Sequence, residues 1–212
     1  MKGIIFDMDN TLLRSRIDFE AMKMETYAFL VRHHRLPASL DLGMHTTSTL
    51  IAMAMEKEAM DDQLLQQLWE IPMKYEVAGM KEAELEPGIR DILIALKQRK
   101  IPLVVVTNNS IVAAKKALER NDIFTYFDNV IGRETVQALK PAPDAFLHVL
   151  NLYPDTQPDD WLSVGDAWID GRASIDAGIP FLAYRGDAMK MKQMGVAPTG
   201  YLTEMKQLVN FL

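Results

Sequence analysis

The chain has 212 residues, enough for one well-buried domain or for a core carrying a modest insertion, and too few for two domains of equal size. With 49% hydrophobic and 25% charged residues it has the make-up of a globular protein without long disordered tracts. A formal charge of −6 with no basic run argues against a nucleic-acid backbone as partner, and the absence of cysteine excludes disulfides, thiolate metal sites and cysteine nucleophiles.

In chain order, residues Lys2 to Phe6 form an Ile-rich apolar run closed by the acidic DMDN, the pattern of a strand buried on both faces with Asp7 at its carboxyl end. This run is too short for a signal-peptide core or a spanning helix, and later runs such as IPLVVV are equally short, so a cytoplasmic protein without a membrane partner is expected. From about Ile17 to Met80 the periodicity becomes helical, with breaks near Pro37 to Leu42 and near Asp61, as expected of a small helical insertion. Eight of the 14 methionines lie at positions 22, 24, 44, 53, 55, 60, 73 and 80; helix packing and a mobile lid both explain them, and packing is the expectation.

Pro87 and Gly88 open an amphipathic helix in EPGIRDILIALKQRK, and IPLVVV then forms a second buried strand running into TNNS. Ser110 is placed to cap a helix reaching Arg120. DNVIG follows as a strand, PDAFLHVL as a helix, and WLSVGD and IPFLAY as two more strands. Strands alternating with helices predict an α/β fold with a mostly parallel sheet and right-handed crossovers, binding its ligand beyond the carboxyl ends of the strands.

Polar residues fall where that rule needs them. Asp7 and Asp9, Thr107 and Asn108, and Asp166 each come directly after a predicted buried strand. A lone aspartate there is usually a turn former or a helix cap, but three such coincidences gather at one end of one sheet. An acidic chain that handles an anionic substrate must concentrate positive charge locally, so a metal ion and a few placed cations are expected.

These segments, DMDNTL at 7–12, VVVTNNS at 104–110, Lys140 within LKPAPDAF and GDAWID at 165–170, resemble in order the four motifs of the haloacid dehalogenase superfamily. Residues 1–13 and 87–212 resemble its Rossmann-like three-layer catalytic core, and residues 14–86 resemble the helical cap inserted after the first strand in phosphoglycolate-phosphatase-like members. The resemblance implies a Mg²⁺-dependent phosphatase that hydrolyses a small phosphorylated metabolite, first among them phosphoglycolate, through a phosphoaspartate. Such an enzyme works as a monomer or homodimer.

It further implies a role for each residue. Asp7 is the nucleophile, a carboxylate that needs no prior deprotonation at neutral pH. Asp9 is the acid and base, protonating the leaving alkoxide and later activating water. Thr107 and Asn108 bind the phosphoryl oxygens, and Lys140, aimed by Pro141 and Pro143, neutralises charge on the phosphoryl group and the crowded carboxylates. The carboxylates of Asp7 and Asp166 and the backbone carbonyl of Asp9 are the implied Mg²⁺ ligands. Asp170 orients a metal-bound water or Lys140, or else caps its own helix. Thr11 donates within the phosphate loop or acts only as a cap. Asn10 departs from the usual glycine at its position but tolerates left-handed backbone geometry.

Three other functions share the pattern. A sugar phosphomutase would use the same Asp7 with a different acceptor, and a silent protein could bind a phosphometabolite without turnover. A 2-haloacid dehalogenase would need neither Mg²⁺ nor the second aspartate, and the presence of Asp9 and GDAWID weighs against it.

Overall fold

A computed structural model describes residues 2–57 and 60–212. The strands and helices run β1 (Gly3–Phe6), β2 (Leu13–Arg14), α1 (Phe19–Arg32), α2 (Thr47–Lys57), α3 (Asp62–Met80), β3 (Glu84–Leu85), α4 (Ile89–Gln98) and β4 (Leu103–Val106). They continue through α5 (Ile111–Arg120), β5 (Asn129–Ile131), α6 (Asp144–Leu152), β6 (Trp161–Gly165), α7 (Trp168–Asp176), β7 (Phe181–Tyr184), α8 (Ala188–Gln193) and β8 (Gly200–Leu202). The chain divides into two compact units, one of residues 1–15 and 83–212 and the other of residues 16–82.

The larger unit holds a six-stranded sheet in the order β5-β4-β1-β6-β7-β8, parallel throughout and flanked by helices. Every side chain of β1 and β4 is buried, as strands covered on both faces require, which is why their sequences are continuous apolar runs rather than alternating ones. Ile5, Val104, Val106, Ile131, Phe146, Val149 and Trp161 form one core between sheet and helices. A second cluster, of Phe181, Ala183, Met191 and Val196, fixes the α8 side. Ser110 caps α5 by accepting a hydrogen bond from the Ala113 amide.

The sheet order has a direct consequence for the site. β4, β1 and β6 are neighbours, and the chain passes from β1 to β4 on one side and to β6 on the other. The polar turns after these three strands are thereby brought side by side at a crossover point, where parallel sheets open a crevice.

β2 and β3 form a two-stranded antiparallel ribbon, with Leu13 opposite Leu85 and Arg14 opposite Glu84. Beside it the buried Glu86 accepts from Arg14 Nε at 3.2 Å, Tyr184 Oη at 3.0 Å and Arg185 at 3.0 Å. Arg14 is thus engaged by Glu86, and Arg16, in the other unit, pairs with Glu82 at 3.1 Å.

The smaller unit is helical. Asp18 caps α1 and Asp61 caps α3, each side chain accepting from the amide three residues on. Leu30, Leu36, Leu50, Ile51, Ala54 and Leu68 make its core. The methionines divide: Met22 and Met80 are buried and Met53 and Met60 pack against the core, but Met24, Met44, Met55 and Met73 are exposed. Helix packing therefore accounts for half of them, and the other four are turned toward solvent. Among the described residues no helix is long and apolar enough to cross a membrane.

Candidate active site

The site grows from a tight loop after β1. Leu12 and Leu13 both donate to the Met8 carbonyl, at 3.0 and 2.9 Å, folding residues 8–13 back on themselves. Asn10 adopts the left-handed backbone at φ 55°, a conformation asparagine accepts better than most residues with a Cβ. The Asp7 amide donates to Val164 in β6 at 2.9 Å, so the carboxylate is anchored by the sheet itself.

Lys140 arrives from the loop before α6 and is only 2% exposed. Its ammonium nitrogen lies 2.7 Å from Asp7 Oδ1, 2.6 Å from Asp170 Oδ1 and 3.0 Å from the Val106 carbonyl oxygen, three acceptors for the three protons it carries. Its backbone is gripped by Asn108. The Lys140 amide donates to Asn108 Oδ1 and Asn108 Nδ2 donates to the Lys140 carbonyl, both at 2.9 Å. The Asn108 side chain is thus turned to the lysine loop in a reciprocal clamp.

Asp170 divides its two oxygens between neighbours. Oδ1 meets Lys140, while Oδ2 accepts from the Ala167 amide at 3.0 Å at the start of α7. The glycine at 165 makes room for this, since a Cβ there would come within 2.6 Å of Asp170 Cβ and 2.7 Å of its Oδ2.

Oxygen atoms of Asp7, Asp166 and Asp170 lie within 4.8 Å of one another. Burial, reinforced by Asp170, pushes the Asp7 carboxyl up to about 6, against the opposing pull of Lys140. Asp166 is raised well above its ordinary value by burial and by the charges of Asp7, Asp170 and Asp9. For Lys140, burial works against the charge, but Asp170 and Asp7 outweigh it and hold the ammonium form above the usual lysine range. Three carboxylates therefore crowd one ammonium, an imbalance that a hard, oxygen-seeking divalent cation fits. With both Asp170 oxygens engaged, Asp7 and Asp166 are the carboxylates better placed to hold such an ion.

Thr107 is buried at the end of β4, its hydroxyl oxygen accepting from the Asn109 amide at 3.1 Å and its proton left to donate. Thr11 is fully buried, and its hydroxyl has no hydrogen-bond partner among the described residues. Asn109 was not anticipated. It is 6% exposed, and its Nδ2 donates to Asp9 Oδ2 at 2.8 Å. The repeated asparagine of TNNS was the only trace of it in the sequence.

Fold and site together define an α/β protein of the kind that works at the carboxyl ends of parallel strands, with an acidic cluster built around one buried lysine. Residues 4–184 match the family model described as haloacid dehalogenase-like hydrolase, and the chain belongs to that family. It is 30% identical over 178 residues to a haloacid dehalogenase-like hydrolase domain-containing protein of Arabidopsis thaliana, covering 80% of this chain and 64% of that one. To the phosphoglycolate phosphatase of Pseudomonas putida it is 27% identical over 184 residues, covering 83% of this chain and 66% of that enzyme. The chain thus spans just under two thirds of the length of these two relatives. The crystal structure of a predicted phosphoglycolate phosphatase from Haemophilus somnus 129pt shares the fold at a TM-score of 0.69, with 21% identity over 100% of this chain and 97% of that one.

Proposed function

We propose that the chain is a Mg²⁺-dependent phosphatase that cleaves a small phosphomonoester through a phosphoryl group carried on Asp7. The observation that carries this reading is the placement of Asp7 at the end of β1, 2.7 Å from the Lys140 ammonium and inside the acidic cluster.

In the first half-reaction the Asp7 carboxylate attacks phosphorus, the P–O ester bond breaks, and its electron pair goes to the departing oxygen, which takes a proton from Asp9. In the second, water attacks the phosphoryl group on Asp7 while Asp9 accepts a proton from it, releasing inorganic phosphate and restoring both aspartates. Lys140 holds Asp7 in place and balances part of the negative charge, and the Thr107 hydroxyl donates to a phosphoryl oxygen. Asn108 acts through the lysine loop that it clamps. The carboxylates of Asp7 and Asp166 and the Asp9 carbonyl would hold Mg²⁺, with Asp170 supporting from behind through Lys140. When bound, the ion supplies the positive charge that offsets repulsion between carboxylate and phosphate.

Residues 14–86 are read as a cap whose side chains select the substrate. Phosphoglycolate is the first candidate because the matched relative from Pseudomonas putida is a phosphoglycolate phosphatase. The test is phosphate release from a panel of phosphoglycolate, sugar phosphates, nucleotides and phospho-amino acids, with Mg²⁺ and with chelator. Release that requires Mg²⁺ supports the reading. Binding without turnover of any ester contradicts it, and a bisphosphate product without net phosphate release would identify a phosphotransferase instead.

A further inference from the structure

We infer that Asn109 is a positioning residue for Asp9, fixing the carboxylate so that it protonates the leaving group. The inference rests on the phosphatase reading above and adds to it a residue that the sequence did not single out.

The two adjacent asparagines of the turn after β4 serve different partners. Asn108 is spent on the backbone of Lys140, whereas Asn109 Nδ2 reaches Asp9 Oδ2 at 2.8 Å. A carboxylate oxygen accepts, so the group facing it must be the amide NH₂ of Asn109, whichever way round the side chain is drawn. Asn109 is itself held firmly. Its backbone amide donates to Thr107 Oγ1 at 3.1 Å, its carbonyl accepts from the Arg133 amide at 2.9 Å, and it is buried.

A rigid donor on one oxygen fixes the plane of the Asp9 carboxylate and distinguishes its two oxygens. Oδ2 carries the Asn109 hydrogen bond, so the proton destined for the leaving group is directed to Oδ1. Without the donor one restraint on the carboxylate is lost, and a misdirected acid loses part of the ~10²- to 10⁴-fold that general acid catalysis contributes. The loss must depend on the leaving group. A basic alkoxide or phenoxide needs the proton, and a well-stabilised phenolate hardly does.

The experiment compares kcat/KM, which reports steps up to the loss of the leaving group, for phenyl phosphate and 4-nitrophenyl phosphate with the Mg²⁺-loaded enzyme. Asn109→Ala removes the donor. Asn109→Asp keeps the shape of the side chain and replaces the donor by an acceptor, and thermal unfolding of both variants reports their integrity. The expected result is a fall of about 10-fold or more on phenyl phosphate and less than about 3-fold on 4-nitrophenyl phosphate, in both variants. Equal losses on the two esters, or no loss on either, would overturn the inference while leaving the phosphatase reading standing. A wild-type enzyme that hydrolyses neither these esters nor any of the phosphorylated metabolites above would overturn the phosphatase reading, and the inference with it.

Discussion

Asp170 Oδ1 lies 2.6 Å from Lys140 Nζ, with both side chains almost wholly buried. The other Asp170 oxygen is held by the Ala167 amide, so one carboxylate ties the start of α7 to the lysine that faces Asp7. In Asp170→Asn the single amide oxygen can serve Lys140 or Ala167 but not both, and the amide NH₂ meets another donor. Activity should fall about 10- to 100-fold, and thermal unfolding should move down by several degrees, as expected for about 1–3 kcal/mol. Lys140→Met should be harsher in the metal-free protein, destabilising by about 3–5 kcal/mol, because it leaves buried carboxylates without their cation. Circular dichroism melts and phosphate-release rates of the two variants check both outcomes.

Gly165→Ala probes the same junction from the backbone. The new Cβ would fall 2.6 to 2.8 Å from three atoms of the Asp170 side chain, and no real carbon approaches so closely. Asp170 must move, and Lys140 loses one of its three acceptors. The expected outcome is loss of most activity with a stability decrease on the order of 1–3 kcal/mol. Full activity in this variant would show that the Asp170–Lys140 contact is dispensable.

The acidic cluster predicts how metal binding depends on pH. Burial and Asp170 raise Asp7 from its ordinary 3.8 to about 6, and Asp166 is raised in the same sense. The folded, metal-free chain therefore holds these protons more tightly than the unfolded chain does. Their ionisation opposes folding increasingly as pH rises from 3.8 through about 6, and Mg²⁺ offsets that penalty only where the carboxylates are charged. The rise in Tm caused by Mg²⁺ should be clear at about pH 7.5 and nearly absent at about pH 5. A rise of equal size at both pH values would contradict an Asp7–Asp166 metal site.

How much of this was legible in the sequence follows from range. β1, β4 and β7 could be read because burial on both faces writes unbroken apolar runs, and β6 because its run is broken only by the buried Ser163; Asp7, Asp9, Thr107 and Asp166 were expected at the site because they follow such runs. Asn10 was read from the backbone conformation that its residue type tolerates. β2 and β3 were missed because two residues carry no periodicity, and β8 because its GYL offers no apolar run. The partners of Asn108 and Asn109 were missed for a different reason: 32 residues separate Asn108 from Lys140 and 100 separate Asn109 from Asp9, so only the sheet order decides which asparagine meets which charge. The double duty of Asp170 was equally hidden, since it depends on the two oxygens of one side chain facing different neighbours.

On the proposed reading Asp7 carries the phosphoryl group, and it can be examined during turnover. Wild-type protein mixed with Mg²⁺ and 4-nitrophenyl phosphate, quenched in acid and digested, should yield the peptide containing Asp7 heavier by one phosphoryl group. Asp7→Asn, nearly identical in shape, should show neither the added mass nor phosphate release. Turnover without any phosphoryl group on that peptide, or an active Asp7→Asn variant, would contradict the account.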